Sequence, residues 1–183
     1  MTEEQLFKAH FDQLVNNAWA QIKTFLMAVP VGAVVGIVSW FILSAIEKKH
    51  EIIKERKKVA VILIAYLSIL LQMGLFSRPF GSIRGIKWVP FATPGGGQLI
   101  ILYALANLVI FIPAGFLLTK TFRKSLDKIW KIALIVLAIS LIVEVVQFIF
   151  ACGTSEVEDM IMNVIGGVIG YGIARKTIKK SEK

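Results

Sequence analysis

Glu144 is the residue whose chemistry most needs explaining. It lies inside the apolar run Ile129–Phe150, where a carboxyl requires a partner or a task. Gln147 follows three residues later and Ser140 precedes it by four, so the three share one helix face. Two amides occupy neighbouring apolar runs, Asn107 in Leu99–Leu118 and Asn163 in Val157–Ala174. With each run read as a helix, Glu144 lies six residues from Phe150 and Asn163 six from Val157, a depth of about 9 Å. Asn107, eight residues from Leu99, lies about 12 Å deep from the same side. Three polar groups thus converge on one level. Above them, Glu156, Glu158 and Asp159 fall in a short hairpin between the last two runs, and Asp159 is four residues from Asn163.

A carboxyl buried beside other carboxyls can give or take a proton, or can pair with a basic ligand or loop residue. That makes Glu144 and Asp159 candidate catalytic acids or bases. The competing reading is a hydrogen-bond network that ties three helices together, a common use of Asn and Gln in membrane bundles. No histidine stands near a candidate nucleophile, and no known catalytic signature appears. His10 and His50 are far apart, which argues against a histidine-based metal site. The acidic hairpin reads either as a solvated turn or as a divalent-cation loop. No metal or cofactor is expected, since the glycine pairs follow no strand and make no nucleotide loop. Cys152, the single cysteine, excludes an intrachain disulfide and is expected as a free thiol at the external surface, without a catalytic part.

The elements that must hold these residues follow from hydropathy. Hydrophobic residues make up 56% of the 183 positions, far more than one soluble core can absorb. Five runs are long enough to cross a bilayer: Phe25–Ile46, Val59–Phe76, Leu99–Leu118, Ile129–Phe150 and Val157–Ala174. The expected fold is therefore all-α, a polytopic membrane bundle of about five transmembrane helices. Residues 1–24 read as an amphipathic N-terminal segment, with Phe7, Phe11, Leu14, Ala18, Ile22 and Phe25 on one side, ahead of a transmembrane domain over 25–183. Gly32 and Gly36, and Gly166, Gly167, Gly170 and Gly172, suit close helix packing, within the chain or in an oligomer.

The net charge of +9 does not indicate nucleic acid, because the bases fall between apolar runs. Segments 47–58, 119–128 and 175–183 carry fifteen Lys and Arg together, and the alternate segments carry five. The basic segments are therefore expected in the cytoplasm, which gives an N-out, C-in topology. The long external loop 77–98 combines Arg78, Arg84 and Lys87 with Phe80, Trp88 and Phe91, and its prolines and glycines predict ordered turns.

NLVIFIPAGFLL (107–118), SLIVEVVQ (140–147) and GTSEVEDMIMNVIGGVIGY (153–171) resemble the VanZ-like family of bacterial membrane proteins. The likeness spans roughly residues 77–172. WVPF (88–91) is similar to the family's external Asn-Leu-Ile-Pro-Phe segment, with Trp88 in place of Asn, and Glu158 stands where Asp is common. The resemblance carries over to Asn107, Pro113, Glu144, Gln147, Asp159, Asn163 and Gly167. It implies a multi-pass protein of the bacterial cytoplasmic membrane and an envelope role. The family is named for an accessory protein that lowers susceptibility to the glycopeptide teicoplanin.

Three functions are compatible with these residues. In the first, the protein handles an envelope lipid or lipid-linked cell-wall component at the outer leaflet. Asn107, Glu144, Gln147, Asp159 and Asn163 would hold its polar head, and Arg78, Arg84 and Lys87 its phosphates. In the second, it is an intramembrane hydrolase or transferase with Glu144 or Asp159 as general base. In the third, it is a noncatalytic assembly partner.

Overall fold

A computed structural model describes residues 3–47, 51–76, 81, 83–87 and 97–181. Its order is α1 (Glu3–Glu47), α2 (Glu51–Phe76), β1 (Ile83–Lys87), α3 (Gly97–Thr121), α4 (Ile129–Phe150), β2 (Cys152–Glu156) and α5 (Val157–Ser181). All five helices contain a stretch long and apolar enough to cross a membrane. The expected helix bundle is therefore present, with one addition. Loop 77–98 contributes a strand, not turns alone, and the segment expected as an acidic hairpin is its partner. β1 and β2 pair in parallel, with Ile83 against Cys152 and Lys87 against Glu156.

α1 is a single helix of 45 residues, continuous through Pro30 and through the boundary at residue 24. At 1.5 Å per residue it is about 68 Å long, more than twice a hydrocarbon core. Its apolar stretch begins at Trp19, six residues before the expected start, and ends at Ile46. α1 packs on α2 through its two glycines. A Cβ on Gly32 would meet Ile69 Cγ1 at 2.5 Å, and one on Gly36 would meet the Ala65 Cβ at 3.3 Å.

The core lies among the other four helices. Leu63 and Leu70 of α2, Phe111, Ala114 and Leu118 of α3, and Ile132 and Val136 of α4 form one buried cluster, closed by Leu126 of the α3–α4 loop. Large apolar side chains also cover the outside. Ile161, Ile165, Ile169 and Ile173 make an exposed stripe along α5, the pattern of a lipid-facing surface. Gly166, Gly167 and Gly170 lie on the sides of α5 that meet α3 and α4, and Gly172 does not. Gly166 abuts the Leu108 carbonyl and Gly170 the Ile112 carbonyl. The contact advances four residues on both helices, so α3 and α5 run parallel at backbone distance.

Pro113 removes a backbone donor from the middle of α3. In the same turn Tyr66 of α2 donates its hydroxyl to the Ile110 carbonyl at 2.6 Å, which ties α2 to α3. At the basic end, Arg56 donates to the Thr121 carbonyl at the end of α3. Tyr171 and Arg175 of α5 both donate to the Asp127 carbonyl. These bonds fix the α3–α4 loop to its neighbours.

Candidate functional site

α4 buries every fourth residue: Ile132, Val136, Ser140 and Glu144. This stripe faces the bundle, and it turns from apolar to polar toward the end that carries the β1–β2 sheet. Ser140 is fully buried and Glu144 is 6% exposed. Asn163 of α5, also 6% exposed, donates through Nδ2 to Ser140 Oγ at 2.8 Å. Its Oδ1 is buried with no hydrogen-bond partner among the described residues. The family-related motifs on α4 and α5 thus meet in one buried polar pair.

Two contacts set the α4–α5 register. Asn163 meets Ser140, and Gly167 faces Val136, where a Cβ would fall 2.5 Å from Cγ2. Four residues forward on α5 match four residues back on α4, so the helices are antiparallel. One turn in the other direction sets Asp159 level with Glu144. The α3–α5 register, read from Gly166 on Leu108 and Gly170 on Ile112, sets Asn107 within about two residues' rise, roughly 3 Å, of Asn163. Asn107 is half-buried. Along the bundle axis Asn163 thus lies level with Ser140 and about one turn, roughly 6 Å, from Glu144; the equal depth expected for Glu144 and Asn163 is offset by that turn, and the packing ties Asn163 to the α4 stripe through Ser140.

The remaining candidates divide. Gln147 donates through Nε2 to the Gly74 carbonyl of α2 at 2.9 Å, so its amide ties α4 to α2. Gly74 allows this approach, since a Cβ there would meet Val143 Cγ1 at 2.9 Å. Asp159 is half-buried in the first turn of α5. Glu158 beside it is 2% exposed, so this end of the connection is not a solvated turn. Carboxylates in a first helical turn lie at the favourable end of the helix dipole. Arg78 lies outside the described residues. Arg84 and Lys87 belong to β1, but their side chains lie outside the description.

Cys152 corrects another expectation. It is fully buried, not at the surface. α4 ends at Ala151 in the left-handed conformation (φ 49°, ψ 44°), with its N–H directed back to Gln147 and Phe148. That turn folds the chain back so that Cys152 enters the sheet against Ile83 and its Sγ lies 3.7 Å from the Gln147 carbonyl. The thiol's lack of activating neighbours is visible in the sequence, and the strand that covers it is not.

Sequence places Ser140 on the Glu144 face without assigning it a partner, and it does not mark Tyr66 at all. The four-residue spacing to Glu144 carries Ser140, whereas the use of Tyr66 depends on a carbonyl of another helix. Beside the polar stripe, an apolar groove of about 310 Å³ follows the same turns of α5, lined by Leu137 of α4 and by Val157, Met160, Ile161, Val164 and Ile165.

Residues 59–179 match the model of the VanZ/LLP1 family, a span that contains nearly all of α2 to α5 and excludes α1. Over 131 residues the chain is 33% identical to Protein VanZ of Enterococcus faecium, covering 66% of this chain and 78% of that protein. No solved structure matches the chain. The match covers the three motifs and the helices that bring two of them into contact, and this chain is a multi-pass bacterial membrane protein belonging to the VanZ/LLP1 family.

Proposed function

We propose that the polar stripe of α4 and α5 binds the head of a lipid or lipid-linked cell-wall component in the outer leaflet, and that this lowers susceptibility to glycopeptides such as teicoplanin. The observation that carries the reading is Asn163. Its side chain is 94% removed from solvent by its 6% exposure, yet only its Nδ2 is bonded among the described residues. A buried acceptor left without a donor costs roughly 1–3 kcal/mol. A ligand hydroxyl or amide would satisfy it. The adjoining groove suits the apolar tail of the same ligand.

The orientation belongs to this proposal. Fifteen Lys and Arg on one side against five on the other put the basic end in the cytoplasm and the sheet end outside. Arg78, Arg84 and Lys87 then belong to the external segment and are the candidate phosphate contacts. A second reading, an acid–base hydrolase or transferase, draws on Asp159 and Glu144 lying at one level on facing helices. Saturable binding without turnover separates the first from the second.

The test is Glu144→Gln in a strain lacking the native gene, with expression and teicoplanin susceptibility measured together. A site that needs the carboxylate loses its effect on susceptibility at normal expression. Full activity at normal expression would leave the stripe as helix glue, because glutamine retains hydrogen bonding.

A further inference from the structure

A second groove, of about 400 Å³, lies between α1 and α2, away from the polar stripe. Its walls include Val34, Val38, Ser39 and Ile42 of α1 and Ile64 of α2. Ser39 is the only polar residue in the lining, and its hydroxyl already donates to the Gly36 carbonyl of its own turn at 2.8 Å. The groove therefore offers an apolar ligand surface and no spare hydrogen-bond donor.

Its position matches one leaflet. From Val34 to Leu43, the last lining residue of α1, the helix rises about 14 Å, close to half of a ~30 Å hydrocarbon core. The apolar stretch of α1 runs from Trp19 to Ile46, so the groove occupies the half nearest the basic end. Lys57 stands seven residues before Ile64, on the same face of α2. Its ammonium lies 4.0 Å from the centre of the Trp40 ring. Lys58 beside it is exposed. An apolar slot one leaflet deep thus has a tryptophan beside its last turn and two lysines near its end, residue types that lie at headgroup level.

We infer that this groove holds an acyl chain of an anionic phospholipid, with the headgroup phosphate at Lys57 and Lys58. The wall accounts for the chain, and the paired ammonium groups account for the charge of the head. A second copy of this chain is a poorer occupant, because it would bring its own basic segment 54–58 against this one. No residue of the polar stripe takes part, so this site stands or falls apart from the proposed function.

The experiment uses the full chain reconstituted in nanodiscs of equal parts phosphatidylglycerol and phosphatidylcholine. Native mass spectrometry then counts the lipid retained after release. Wild type retains phosphatidylglycerol over phosphatidylcholine by on the order of tenfold, from about fivefold per lysine reduced by incomplete additivity. Lys57→Gln with Lys58→Gln brings the ratio toward one in a protein that still folds in pure phosphatidylcholine, with only the small loss expected from the Trp40 contact. Val38→Trp, which fills the slot, lowers retention of both lipids. Equal retention of the two lipids by wild type overturns the proposal. So does a ratio unaffected by the lysine pair, which alone decides the matter if the tryptophan variant does not fold. A cross-linked dimer lost on Val38→Trp assigns the groove to a second copy and likewise overturns it.

Discussion

Replacing Gly170 by alanine should destabilise the bundle, whereas the same change at Gly172, two residues along the same helix, should not. At Gly170 a Cβ would abut the Ile112 carbonyl and lie 2.7 Å from the Phe116 nitrogen. Both are backbone atoms and cannot rotate aside, so α3 and α5 must part by on the order of 1 Å to restore a carbon contact distance near 3.5 Å. A gap of that size forfeits a quarter to a half of each contact along the interface. Overpacking of this kind costs about 1–3 kcal/mol, against a gain of up to ~1 kcal/mol in helix propensity. The net expectation is a loss of about 1–2 kcal/mol. At Gly172 nothing lies within 4 Å, so only the propensity gain remains. Reversible unfolding in bicelles, followed by tryptophan fluorescence, measures both. Equal stability of the two variants would refute the close α3–α5 packing, and with it the register that levels Asn107 with Asn163.

Three further outcomes follow from single contacts. Cys152, fully buried in β2, should react with a maleimide far more slowly in the folded protein than after denaturation; rapid labelling under native conditions would contradict the sheet. Ala151→Gly should be neutral or stabilise by up to ~1 kcal/mol in thermal unfolding, because alanine at φ 49° bears a left-handed penalty that glycine lacks. The hydrogen bond from Lys131 holds the Asp127 carboxyl below its usual range, so its contribution is present above that range and lost as pH falls through the lowered value. The stability difference between wild type and Asp127→Asn should accordingly stay level from pH 8 to 5 and shrink below about 4.

The helices were legible because lipid imposes a simple rule: about twenty apolar residues for each crossing. The sheet was not. IRGIK and CGTSE are short, contain glycine and lack a clean alternation, so neither announces a strand. Their pairing joins segments on either side of α3 and α4, and only the assembled bundle brings them together. Glu144 and Asn163 were legible for the same reason as the helices, since a polar group in an apolar run stands out. Gln147 stood out equally, but its use depends on Gly74 of another helix, which periodicity within α4 does not reveal. The burial of Glu158 also depended on tertiary placement: position in a short connection suggested water, and the fold covers it.

The measurement that bears most directly on the proposed lipid site is binding by the purified, reconstituted protein. A lipid-linked cell-wall precursor is titrated against wild type, Glu144→Gln and Ser140→Ala, with unfolding recorded for each. The account predicts saturable binding by wild type and at least about tenfold weaker binding by Glu144→Gln at unchanged stability, the scale of a lost charge-assisted bond. Ser140→Ala, which removes the partner of Asn163 Nδ2, should weaken binding less and lower stability by about 1 kcal/mol. Absence of saturable binding, or equal affinity in wild type and Glu144→Gln, would contradict it.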